Sequence, residues 1–216
     1  MDTPVPTSRL YGLDIETDTT VDGLDPTVSP IVAVAVATDE GTTVLLGEEP
    51  DILLRLGQTL DALPVGVIVT WNGAGFDLPF IAHRSRVCGV PLSLRVIGHP
   101  WAADPPIAVE PGDPGQEPAS LSTWGEHRHL DGYRVYRSDV GATLRLSCGL
   151  KSMARLVGLT PVEVDRTDIS SLPADVLHDY VASDAELARA LVLRRWPACS
   201  SGVDRVPGLL ATARDI

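Results

Sequence analysis

The chain has 216 residues, with 29 acidic against 17 basic side chains, a net charge of −12 and a pI near 4.7. That length suits one α/β domain with a full hydrophobic core, and the acidity excludes a broad basic surface for non-specific nucleic-acid binding while leaving a local groove open. Cys88, Cys148 and Cys199 are widely spaced without a C-x-x-C pair, which gives neither a disulfide framework nor a zinc site; with no run approaching the ~18 apolar residues of a membrane span and no signal-peptide core near Met1, a soluble cytoplasmic protein is expected.

Leu10 to Thr17 (LYGLDIET) reads as a mostly apolar strand ending in two carboxylates. Alternate strand residues share a face, so Asp14 and Glu16 stand side by side. After Arg9 the next cationic residue is Arg55, so the simplest neutraliser is a divalent metal held by oxygen ligands. Asp18 to Ser29 is a polar loop whose Asp18, Asp22 and Asp25 are weak ligand candidates. Ile31 to Ala37 (IVAVAVA) reads as a buried strand, and Asp39-Glu40-Gly41 turns it into Thr42 to Leu46 as a hairpin. Pro50 to Leu63 carries Ile52, Leu53, Leu56, Leu60 and Leu63 at the spacing of an amphipathic helix.

Val65 to Trp71 is a further buried strand, running into the glycine-bearing loop Asn72-Gly73-Ala74-Gly75-Phe76-Asp77. A second helix follows over Leu78 to Cys88, with Asp77 at the N-cap position and Pro79 in the first turn. Ser93 to His127 holds six prolines and reads as a long irregular excursion. Leu130 to Val135 reads as a short strand, and Leu150 to Val157 as a helix capped by Ser147 and ended by Gly158. Pro173 to Arg195 is a strong helix with Leu177, Tyr180, Val181, Asp184, Leu187, Ala188 and Leu191 along one stripe. The spacing thus predicts a domain over residues 9–196, with an N-terminal tail at 1–8 and a loose tail or short terminal helix at 197–216.

Tyr180 and Asp184 are neighbours on an apolar face. An acid there is costly unless something pairs with it. Asp77 lies just beyond a strand end, where ligand crevices form in open α/β sheets. Taken singly each signal has a plainer reading: an exposed strand-end pair, a helix cap, an ion-paired Asp184, a core tyrosine. Together they combine order, spacing and context.

Asp14-Ile15-Glu16-Thr17, Asn72-Gly73-Ala74-Gly75-Phe76-Asp77 and Tyr180-Val181-Ala182-Ser183-Asp184 resemble the three motifs of the tyrosine branch of the DEDD superfamily of 3′–5′ exonucleases. The likeness is nearest to the proofreading exonuclease domain of family B DNA polymerases. The resemblance implies an α/β ribonuclease H-like fold: a five-stranded mixed sheet, its first three strands antiparallel, with helices on both faces. It also implies two Mg²⁺ or Mn²⁺ ions, with Asp14 touching both, Glu16 and Asp184 completing the first shell, and Asp77 holding the second ion through water. Tyr180 would orient the attacking water, because a phenol is a poor base at neutral pH. Thr17 would bond the terminal nucleotide. Leu13, Asn72 and Phe76 would line the slot for the 3′ end, with core packing an equal alternative for Leu13 and Phe76.

The expected activity is release of nucleoside monophosphates from a single-stranded 3′ end, DNA favoured, by a stand-alone domain with no polymerase or repair partner specified. An exoribonuclease acting on short RNA and a catalytically silent binding module fit the same residues. Arg84, Arg86, Arg128, Arg134, Arg137, Arg145 and Lys151 are the candidate phosphate contacts. Trp124-Gly125-Glu126-His127-Arg128-His129 reads either as an aromatic and cationic platform for single strands or as a surface loop with a half-buried Trp.

Overall fold

The computed structural model describes residues 5–103 and 120–204. One seven-stranded mixed sheet runs through it in the order β3-β2-β1-β4-β7-β6-β5. Here β1 is Leu10–Thr17, β2 Ile31–Ala37, β3 Thr42–Leu46, β4 Val67–Thr70, β5 Leu94–Ile97, β6 Leu121–Trp124 and β7 His127–Asp131. The first three strands are antiparallel, as expected, while β4 lies parallel to β1 and to β7. Helices α1 (Glu49–Ala62) and α2 (Asp77–Val87) cover one face, and α6 (Ala174–Arg194) crosses the other. Shorter helices α3 (Gly132–Tyr136), α4 (Ala142–Leu144), α5 (Leu150–Leu156) and α7 (Trp196–Cys199) flank α6, and a π-helical turn at Arg137–Gly141 joins α3 to α4. No helix among the described residues is long and apolar enough to cross a membrane.

The sheet has two more strands than the sequence pattern suggests, and both lie in the stretch read as irregular. β5 and β6 are four-residue strands that pair with each other, and β6 returns through Gly125-Glu126 into β7. Strands so short carry too little alternation to register as a period. Residues 104–119 of that excursion lie outside the described residues. The strand expected over Leu130 to Val135 is instead β7 ending at Asp131, whose carboxylate caps α3 by accepting the N–H groups of Tyr133 and Arg134. Likewise α5 starts after Gly149 rather than at a Ser147 cap.

The face of the sheet under α6 is made of small residues. Along β1, Leu13 and Ile15 pack toward α1 and α2, whereas Gly12, Asp14 and Glu16 face α6. On β2, Val34 and Val36 take the first side, while Ala33, Ala35 and Ala37 pack with Tyr180, Val181 and Ala185 of α6. In register, Gly12 sits beside Ala37, Asp14 beside Ala35 and Glu16 beside Ala33. The run IVAVAVA is therefore a large and small alternation that seats one helix deep and the other at ordinary distance. Gly12 sets the limit, since a Cβ there would overlap the Ala185 carbonyl.

Substituting Gly12→Ala should force α6 off β1 and destabilise the protein by about 1–3 kcal/mol, as overpacking against backbone does. Denaturant unfolding reads this as a lower midpoint with an unchanged slope; an unchanged midpoint would contradict the packing argument.

Candidate active site

Seating α6 on β1 brings Asp184 against the strand tip. Asp14, Glu16 and Asp184 each present a carboxylate oxygen within 4.8 Å of the others. Asp77, the first residue of α2, completes the group from the far side of the β4 crossover. Its carboxylate accepts the backbone N–H of Ile15, between the two acids of β1, and its own N–H. It does not cap the helix, whose N-cap position is Phe76. The four acids open into a cleft of about 850 Å³ that Thr17, Asn72, Phe76, Trp71, Trp101 and Arg166 also line.

The loop that carries Asp77 is held by a residue that sequence reasoning missed. The buried carboxylate of Asp131 accepts Asn72 N–H at 3.0 Å and Ala74 N–H at 3.1 Å, besides the two it caps on α3. Asn72 adopts a left-handed backbone (φ 73°), a conformation that Asn tolerates better than most residues. In the sequence Asp131 falls inside the strand expected over Leu130 to Val135; its reach to Asn72 depends on β4 and β7 being parallel neighbours.

Four carboxylates in one cleft repel, and burial adds to the effect. Burial, then the charges of Asp77, Glu16 and Asp184, raise Asp14 well above the usual carboxylate range. Burial likewise pushes Glu16 up to about 8 and Asp77 up to about 7. Two cations answer them. Lys151 on α5 places Nζ 3.4 Å from Asp184 Oδ2, 3.9 Å from the Tyr180 ring centroid, and 2.8 Å from the Val162 carbonyl. Arg166 lowers the pKa of Asp14, Glu16 and Asp184 by its charge. The expectation that no cation lies near the strand tip holds only along the sequence, because Arg166 arrives from a segment 150 residues away in the chain, roughly the separation of Thr19 and Ile169, whose hydrogen bond ties the two loops.

Tyr180 is fully buried, and its hydroxyl has no hydrogen-bond partner; the same holds for Asp184 Oδ1. Burial and the neighbouring carboxylates hold the phenol well above its ordinary value, so it stays protonated. An orphaned donor and an orphaned acceptor beside three clustered carboxylates fit a hard divalent cation and its water: the donor set is all oxygen, and the unsatisfied groups are those a hydrated ion would engage.

Several predicted contacts fall elsewhere. Leu13 is 0% exposed in the core against α1 and α2, not in the slot; its odd position on β1 turns it from Asp14. Phe76 both lines the cleft and packs on the core. Thr17 lines the cleft while its hydroxyl donates to the Gly23 carbonyl at 2.6 Å. Asp18, Asp22 and Asp25 accept N–H groups two residues on, as Asx turns do. Arg84 is buried in a bidentate pair with Glu49, so it is not a phosphate contact. Trp124 is 0% exposed with Nε1 bonded to Asp61, and His127 and His129 are buried, which removes that run as a single-strand platform.

An antiparallel edge feeding parallel strands, with acids at the tip of the first strand facing the last long helix, defines a ribonuclease H-like nuclease domain. The sequence profile of the DNA polymerase family B exonuclease domain matches residues 37–153, and the chain belongs to that family of 3′–5′ exonucleases. It is 29% identical over 163 residues to DNA polymerase 1 of Aeropyrum pernix, covering 72% of this chain and 15% of that protein. In fold it is similar to the family B DNA polymerase of the archaeon Pyrobaculum calidifontis, with a TM-score of 0.64 and 22% identity over 91% of this chain and 26% of that one. The chain thus spans a small part of the length of either relative.

The raised acids give a pH dependence of defined sign. Glu16 and Asp77 bind protons more tightly when folded than their ordinary 4.5 and 3.8, so their contribution is present at low pH and lost as pH rises through about 7 and 8. In chelator the melting temperature should be higher near pH 5 than near pH 8, and millimolar Mn²⁺ should raise it most at the higher pH by binding the folded state. Parallel scans with and without metal check this; identical melting at both pH values in chelator would count against the cluster.

Proposed function

We propose that this domain removes nucleoside 5′-monophosphates from the 3′ end of single-stranded nucleic acid, using two divalent ions, Mg²⁺ or Mn²⁺. The observation that carries the reading is the meeting of Asp14, Glu16 and Asp184 within 4.8 Å beneath an unpartnered, protonated Tyr180. Asp14, Glu16 and Asp184 would hold one ion, and Asp14 with Asp77 the second. When bound, such ions supply Lewis-acid neutralisation of the phosphate and of the developing charge on entering and leaving oxygens.

The chain's own residues account for the remainder. Tyr180 cannot act as base while its proton is held so tightly, so it donates a hydrogen bond that orients the attacking water in line with the scissile P–O3′ bond. That bond breaks as the water oxygen bonds to phosphorus, and the shortened strand leaves with a free 3′ hydroxyl. Arg166 faces the cleft as a planar donor suited to non-bridging phosphate oxygens. Lys151 keeps Asp184 and the Tyr180 ring in place. Asn72 and Phe76 line the slot for the terminal nucleotide. Thr17 acts on the loop through its bond to Gly23.

Relatives that are DNA polymerases support DNA as the preferred polymer. The exonuclease domain is taken as residues 9–196, with 1–8 and 197–216 as flanking tails; the latter begins by packing Cys199 into the core and bonding Asp204 to His129.

The test is a 5′-labelled single-stranded DNA oligonucleotide and its RNA counterpart, each incubated with Mg²⁺. A ladder shortening from the 3′ end is expected, faster on DNA, and reduced to background by chelator and by Asp14→Ala. Faster loss of RNA would make the protein an exoribonuclease, and binding without any ladder would make it a silent module.

A further inference from the structure

Acids are a minority of what lines the cleft. Trp71, Phe76 and Trp101 line it too, each of them half-exposed and packed against the core on its other side. Trp71 donates Nε1–H to the Cys148 carbonyl at 2.8 Å and lies tilted on Tyr136, 5.1 Å between centroids, which roots it in the core beneath α6. Phe76 packs on Phe80 at 5.2 Å. Trp101 stands on the single turn Pro100–Ala102 and packs at the edge of the core, edge-on to both Phe76 (6.4 Å, 73°) and Phe80 (6.1 Å, 87°).

That turn is fastened more firmly than a connection needs to be. The Arg86 guanidinium donates to three consecutive carbonyls, those of Trp101, Ala102 and Ala103. His99 accepts the Trp101 N–H through Nδ1 and hydrogen-bonds the Gly75 backbone, joining the turn to the loop that carries Asp77. The turn is thereby tied to the loop that carries Asp77, and the indole lines the same cleft as the acids. A ligand that needs clustered carboxylates and a rigid, half-exposed indole in the same recess carries both phosphate and flat aromatic groups, and a nucleotide strand does. Base faces are free to stack on an indole only where neighbouring bases have come apart, as at an unpaired end.

We propose that Trp101 is a stacking surface for a base close to the 3′ end of the substrate strand, and so a specificity-determining residue that favours unpaired ends. This rests on the exonuclease function proposed for the cleft but names a contact that the acid cluster does not require. Arg86 and His99 act as positioning residues for it.

The probes are a 5′-fluorescent single-stranded DNA decamer and four versions of it, each with one abasic site among the last four nucleotides. Binding is followed by anisotropy in chelator, where no hydrolysis competes, and hydrolysis separately in Mg²⁺. Wild-type protein should bind one abasic version about tenfold more weakly than the intact strand, within the range expected for losing one base–aromatic stack. Trp101→Ala should bind the intact strand about tenfold more weakly and lose the discrimination between that pair, while Trp101→Phe restores most of both. In hydrolysis the Ala variant should raise KM about tenfold with kcat within about twofold.

If Trp101→Ala still discriminates the abasic strand as wild type does, or if the loss appears in kcat with KM unchanged, the stacking role is wrong. If wild-type protein never hydrolyses the decamer, the exonuclease function fails instead, and the anisotropy series still decides the stacking contact. A melting scan of the Ala variant separates misfolding from lost contact. Should the Ala variant unfold, Trp101→Phe decides the matter, since a stacking role requires it to keep most of the affinity and of the abasic discrimination.

Discussion

The site exists because a helix can approach a strand more closely than side chains normally allow. Gly12, Ala33, Ala35 and Ala37 clear a shallow trough on one face of β1 and β2, and Ala185 of α6 drops into it. Asp184 is the residue immediately before Ala185, so the depth of the helix and the position of its acid are one quantity. A bulkier residue at any of these points would lift the carboxylate away from Asp14 and Glu16, whatever the acids themselves did. The geometry of the acid cluster is a consequence of how small the residues under α6 are.

Bringing four acids together in a partly buried cleft costs electrostatic energy, and the protein answers it in two ways. Lys151 and Arg166 supply positive charge from segments that belong to neither the strand nor the helix, and backbone N–H groups of Ile15 and of Asp77 itself stabilise the ionised form of Asp77. What they leave unsatisfied is informative. Tyr180 and Asp184 each keep one buried polar atom without a protein partner, a state usually relieved by something that binds there. The folded scaffold therefore carries the cost of preorganisation in advance, which is how such sites stabilise charge as it develops.

Away from the acids, buried polar contacts fix the loops that form the cleft walls. Asp131 holds the Asn72 loop through two N–H groups, Arg84 and Glu49 anchor Pro26 in the loop after β1, and Arg86 fastens the Trp101 turn. Two of these residues, Arg84 and Arg86, are candidate phosphate contacts when read as isolated charges. Each is instead engaged with backbone carbonyls, which is the commoner fate of a charged side chain under a loop. The same holds for the Trp124 to His129 run, where both histidines and the indole are bonded inside the β6–β7 hairpin and its neighbours.

Sequence alone determined the parts whose logic is periodic or local: the Asp14 and Glu16 pair on one strand face, the one-turn spacing of Tyr180 and Asp184, the order of strands β1 to β4, and three motifs spanning most of the chain. These survive because strand and helix periods are fixed by backbone geometry. Tertiary structure decided which cations reach the acids, that Leu13 points into the core, that β5 and β6 extend the sheet, that Asp131 holds the Asn72 loop from beneath, and that Trp101 lines the cleft. Such contacts join residues tens of positions apart through the crossing of β4 between β1 and β7, and no spacing along a chain encodes a distance set by that packing.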